Sequence, residues 1–137
     1  TSNRIFQKAL EIGSNRAELH NNLGTNYLRM GDYRSAEEAL RAALELSHSS
    51  PRILFNLGGA LEGMERYKEA QEQFLEAVAI DSTYAGAYAK LGGLCQRAGD
   101  RHCALAYYAS FLRHWRGEEA VADDVRRRLK ALSFERQ

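Results

Sequence analysis

Three Leu-Gly pairs, Leu23-Gly24, Leu57-Gly58 and Leu91-Gly92, stand one fixed interval apart (58 − 24 = 34; 92 − 58 = 34). A chain that repeats itself at this interval folds as a stack of similar units, each burying its apolar face against its neighbours. Other columns keep the same register. Ala36, Ala70 and Ala104 recur, as do Leu40, Phe74 and Tyr108. Ala43 and Ala77 recur with Phe111 in the third slot, and Tyr27, Leu61 and Cys95 form another column. Gly31 and Gly99 share a column whose middle member is Glu65. Stacked repeats present a surface more than a catalytic pocket, so functional residues are expected along a groove.

Each unit reads as two amphipathic helices joined by a tight turn. His20, Leu23, Gly24, Tyr27 and Leu28 keep a helical i, i+3, i+4, i+7 rhythm. Met30-Gly31-Asp32 ends that helix, because glycine takes the left-handed conformation that a helix terminus favours. The second helix restarts near Tyr33 and is expected to bury Ala36, Ala39, Leu40 and Ala43. Small residues such as Gly24 and Ala36 let two helices approach closely. Ser50-Pro51 is a helix start, and Asp81-Ser82-Thr83 supplies capping chemistry at the next junction. The register gives units at 17–50, 51–84 and 85–118, within a single domain spanning 1–137. Ser2, Phe6 and Ala9 precede Ala36, Leu40 and Ala43 by the same interval, so residues 1–14 are predicted to be the second helix of an incomplete unit. Residues 119–132 are predicted to form a capping helix, with Ala122, Val125, Leu129 and Leu132 as its apolar stripe.

The segments NNLGTNYLRMGDYRSAEEALRAALEL, LFNLGGALEGMERYKEAQEQFLEAVAID and AYAKLGGLCQRAGDRHCALAYYASFL carry these columns. In them the chain resembles the tetratricopeptide repeat (TPR) family. The resemblance implies an all-α fold, a right-handed superhelical solenoid of antiparallel helix pairs. It also implies a non-catalytic scaffold that binds a partner peptide, helix or folded domain in a concave groove lined by the first helices. Arginine outnumbers lysine 15 to 4, which hints at a bacterial source.

The resemblance further places the inward-pointing residues. Asn22, Asn56 and Lys90 precede the repeated leucines. A carboxamide can donate to and accept from one peptide unit at once, so asparagines in this column grip an extended backbone without reading its sequence. Lys90 departs from that pattern and would favour an acidic group. Glu18, Asn21, Thr25 and Arg29 neighbour the column in the first unit, and Arg52, Phe55, Gly59 and Glu62 in the second. Gly86, Ala89, Gly93, Gln96 and Arg97 do so in the third. Phe55 is the one large apolar residue among them and a candidate anchor. Gly59, Gly63, Gly86 and Gly93 have no expected helix contact and would leave the groove roomy. Against the family's carboxylate clamp, Asn56 matches outright and Lys90 in part.

The formal net charge of +1 implies neither nucleic acid nor an anionic membrane as partner. No apolar run approaches the ~20 residues of a membrane span, and no secretory signal is visible. The chain begins inside a repeat, so it is expected to be cut from a longer protein, which a membrane anchor could hold; the cytoplasm is otherwise its expected location. Cys95 and Cys103 lie eight apart, unlike the close cysteine pairs of zinc sites, and both a metal site and a disulfide are unexpected. Cys95 is read as a small core residue. Adjacent acid pairs such as Glu37-Glu38 diverge around a helix and cannot share a substrate. No enzyme activity and no cofactor are therefore expected. Two further readings stand behind the scaffold. One is self-assembly through an apolar edge of Ile5, Phe6 and Leu10; the other, less favoured, is an RNA-binding helical repeat.

Overall fold

The computed structural model describes the backbone of residues 2–134, and the side chains in that span except those of 2–3, 5–11 and 13–14. Among the described residues it has seven helices and no strand: α1 (Ser2–Met30), α2 (Tyr33–Leu46), α3 (Pro51–Gly63), α4 (Tyr67–Ile80), α5 (Ala85–Arg97), α6 (Arg101–His114) and α7 (Glu119–Phe134). None of these is long and apolar enough to cross a membrane.

One turn recurs after α1, α3 and α5. Gly31, Glu65 and Gly99 take left-handed φ values of 77°, 63° and 80°. The next amide then reaches back five residues: Asp32 to the Tyr27 carbonyl, Arg66 to Leu61 and Asp100 to Cys95, each at 2.9 Å. This closure satisfies carbonyls that a helix end leaves bare and sends the chain back antiparallel. Glu65 shows that the geometry belongs to the column even where glycine is missing, at a cost of about 1–2 kcal/mol.

The following helices are capped in turn. The Asp32 and Asp100 side chains accept from the Ser35 and Cys103 amides at 3.2 and 3.1 Å. Ser50 accepts from the Ile53 amide at 3.3 Å, with Pro51 in the first turn of α3. At the equivalent place before α4 stands Arg66. Its guanidinium pairs with Glu69 at 2.6 Å and with Glu37 of α2 at 2.9 Å. Burial pushes the Glu37 carboxyl up, but hydrogen bonds from Arg41 and Arg66 outweigh it and hold the pKa below the usual carboxylate range.

The chain divides into two compact units, Thr1–Gln73 and Phe74–Gln137, with the division inside α4. In the first, α2 packs against both α1 and α3. Ala36, Leu40, Leu54, Leu57, Ala60 and Leu61 are among its buried apolar residues. In the second, α6 packs against α5 and α7. Tyr108, Phe111, Val125 and Leu132 share one buried cluster there. The Tyr108 hydroxyl donates to Gln96 Oε1 of α5 at 2.6 Å and lies against Arg128 of α7, while its ring packs with Val125 and Leu132. One buried tyrosine thus ties three helices together.

Four features differ from the sequence reading. First, α1 runs unbroken from Ser2 to Met30, where a helix end near residue 14 was expected. Gly13-Ser14-Asn15 lacks a proline, and its poor propensities cost a helix only about 1–2 kcal/mol, so the ladder continues through it. Second, Leu23 is 42% exposed while Leu57 and Leu91 are fully buried, because residues 2–14 continue α1 in place of folding back over it as a separate helix. Third, Cys95 and Cys103 are joined. They lie four residues either side of Gly99, so the hairpin brings their Cα atoms to 5.6 Å, within disulfide range. Fourth, Gly63 is a packing glycine, since a Cβ there would lie 2.5 Å from the Tyr33 ring. The Ile5, Phe6 and Leu10 edge lies outside the described side chains.

Candidate partner-binding site

In the first unit, the candidate residues converge where α1 and α3 touch. The Asn56 side-chain amide donates to Asn21 Oδ1 at 3.0 Å. Thr25 Oγ1 donates to the Asn21 carbonyl at 2.9 Å, so the turn of α1 that carries Asn21 is pinned from within. Asn21 itself is 2% exposed. A buried carboxamide with its oxygen already engaged does not present itself to a partner. It holds Asn56 by the Nδ2 end and leaves the Asn56 Oδ1 outside that bond.

Around Asn56, α3 places Arg52, Phe55, Gly59 and Glu62 at helical spacing along one side. Arg52 is exposed; Phe55, Asn56, Gly59 and Glu62 are half-buried. A Cβ built on Gly59 meets nothing within 4 Å, so the α3 backbone is open to close approach there. On α1, Asn22 and Arg29 are exposed and Thr25 is half-buried. Asn22 shares the column of Asn56 in sequence and stays exposed, while the residue that Asn56 bonds across the helices is Asn21, one position earlier.

Lys90, Gly93 and Arg97 stand on α5 in the second unit, at i, i+3 and i+7. Lys90 and Gly93 are half-buried and Arg97 is exposed. A Cβ on Gly93 would come no nearer than 3.9 Å to the Tyr108 hydroxyl, so this glycine too leaves its helix low. These three form a row of their own with a basic residue at each end. Among the described residues, no group of three or more His, Cys, Asp or Glu side chains could hold a metal ion.

Residues 17–83 match the tetratricopeptide repeat family model. The chain carries tetratricopeptide repeats. Within this family it is 31% identical over 120 residues to the type IV pilus assembly protein PilF of Pseudomonas aeruginosa, a match covering 85% of this chain and 47% of PilF. The chain thus spans less than half the length of that relative. Its fold is that of the Yersinia enterocolitica type III secretion chaperone SycD, solved with a peptide of the translocator YopD. That likeness has a TM-score of 0.82 at 17% identity, covering 88% of this chain and 94% of the other. The first TPR domain of Spaghetti (RPAP3), solved with the HSP90 peptide SRMEEVD, is similar at a TM-score of 0.80 and 19% identity, covering 89% of this chain and 96% of that domain. The TPR columns read from the sequence and the turns observed at Gly31, Glu65 and Gly99 fall in the same register.

Proposed function

We propose that this TPR chain is a non-catalytic scaffold that holds a partner peptide or helix against α3 in its first unit. The observation that carries the reading is the Asn21–Asn56 hydrogen bond. It spends Asn21 inside the fold and holds half-buried Asn56 beside half-buried Phe55 and the unfilled backbone at Gly59. A fixed carboxamide grips a peptide bond, an aromatic edge receives an apolar side chain, and a missing side chain admits the partner's backbone. Peptides bound to SycD and to Spaghetti support this use of the fold.

The test is a peptide-display selection on the immobilised chain, repeated on Asn56→Ala and Gly59→Leu. Selected peptides are expected to lose at least about tenfold in affinity for both variants, the loss of one anchoring contact. Helix content should remain unchanged. If peptides selected on the wild type bind both variants equally well, the partner lies elsewhere and the α3 site is wrong.

A further inference from the structure

The outer face of α1 carries an apolar stripe that the first unit does not use. Ile12, Leu19, Leu23 and Met30 are 52%, 59%, 42% and 68% exposed. Their spacing of seven, four and seven residues puts them within about 40° of one line down the helix. The repeat register shows what such a face is for. One unit later the same columns hold Ile53, Leu57 and Ala60, which are 4%, 0% and 0% exposed on α3, the helix that packs against α2. Among the described residues, no helix lies over the columns of Leu19, Leu23 and Asn26 on α1. Exposed stripes of this kind mark interaction surfaces.

The residues of the stripe also indicate which helix fits. Laid antiparallel against a copy of itself, α1 sets Ile12 against Met30 and Leu19 against Leu23, each pair twice. The same register sets Arg16 against Asn26 and Arg29 against Asn15; all four are exposed. Each arginine then meets a carboxamide oxygen that can accept its hydrogen bonds, and no charge meets its like. Asn22 meets Asn22 of the second copy on the axis, and carboxamides pair with themselves. A parallel arrangement would set Arg16 against Arg16. The spacing alternates three and four residues through Ile12, Arg16, Leu19, Leu23, Asn26 and Met30, which is the seam of a two-helix coiled coil. A pattern in which residue i faces j and j faces i is that of an isologous twofold interface.

We infer that two copies of this chain associate through α1, antiparallel, about a twofold axis beside Asn22. This surface is distinct from the α3 site, so the dimer and the peptide-binding reading stand or fall separately. Both copies keep α3 outside the seam.

Sedimentation equilibrium of the chain from about 1 to 100 µM tests the association. A monomer–dimer equilibrium is expected, and the exposed-site double variant Leu19→Glu/Leu23→Glu should weaken it by more than about tenfold with helix content unchanged. Register is tested by oxidation of Asn22→Cys, expected to give a disulfide-linked dimer, against Glu18→Cys, expected to stay monomeric on a denaturing gel. A concentration-independent monomer overturns the inference and leaves the stripe to an upstream segment or another protein's helix. A dimer that survives the double variant overturns it too, since another surface then holds the copies. A dimer that the double variant breaks, but that Asn22→Cys fails to cross-link, overturns the antiparallel register.

Discussion

At Gly24 an added Cβ would lie 2.6 Å from Leu40 Cγ, and Leu40 is fully buried with nowhere to retreat. Gly59 has no atom within 4 Å of the same position. The two glycines therefore answer alanine in opposite directions. Gly24→Ala should destabilise the fold by about 1–2 kcal/mol, the crowding at Leu40 exceeding the helix-propensity gain. Gly59→Ala should stabilise it by about 0.5–1 kcal/mol, since alanine restricts the unfolded chain and meets no neighbour. Urea-unfolding midpoints compare them directly; shifts of the same sign would contradict this account. The sequence separated packing glycines from open ones only in part. Gly59 was legible as unexplained by helix contact, but Gly63 was not legible as a packing residue, because its neighbour Tyr33 is thirty residues away. Asn21 was misplaced for a related reason. Periodicity locates a helix face to within a residue or so, and whether a carboxamide is spent inside or offered outside is decided by a hydrogen bond across helices.

Helix ends were the most legible elements, because their chemistry is local. Gly31, Glu65 and Gly99 needed only the repeat register to be read as one turn, and Ser50-Pro51 starts α3 as its composition implies. The length of α1 was not legible: residues 11–17 can serve as either a junction or a helix, and only packing chooses. The ion pairs at Arg66 make a further statement about elements, since they join α2 to the beginning of α4. Glu37 has a folded pKa below its unfolded value near 4.5. Its contribution to stability is therefore full above about pH 4.5 and is lost as pH falls through the lower folded-state pKa. Glu69, lowered chiefly by its hydrogen bond from Arg66, adds in the same direction. Glu37→Gln should lower stability at neutral pH and flatten the acid limb. Urea titrations between about pH 3 and 7 check this. Parallel curves for wild type and variant would mean that the pair contributes nothing.

At the scale of the whole molecule, stability in a repeat chain is the sum of what each unit holds and what adjoining helices add. The Cys95–Cys103 bridge lies within one hairpin and so belongs to the second unit alone. The same is true of α7, whose buried Val125 and Leu132 cover Tyr108 and Phe111 of α6. Ending the chain after Glu118 would strip that cover and the Arg128 contact to Tyr108. The loss amounts to roughly 3–6 kcal/mol for two aliphatic side chains and a third that is partly buried. The single tryptophan, Trp115, stacks on Phe111 with ring centroids 5.0 Å apart and so reports on the second unit only. Circular dichroism reports on helices in both. In the truncated chain the fluorescence transition should fall to lower urea than the dichroism transition, because the first unit keeps its own core of Leu40, Leu54, Leu57 and Leu61. If the two transitions move down together and stay coincident, the units unfold as one, and the independence assigned to them is wrong.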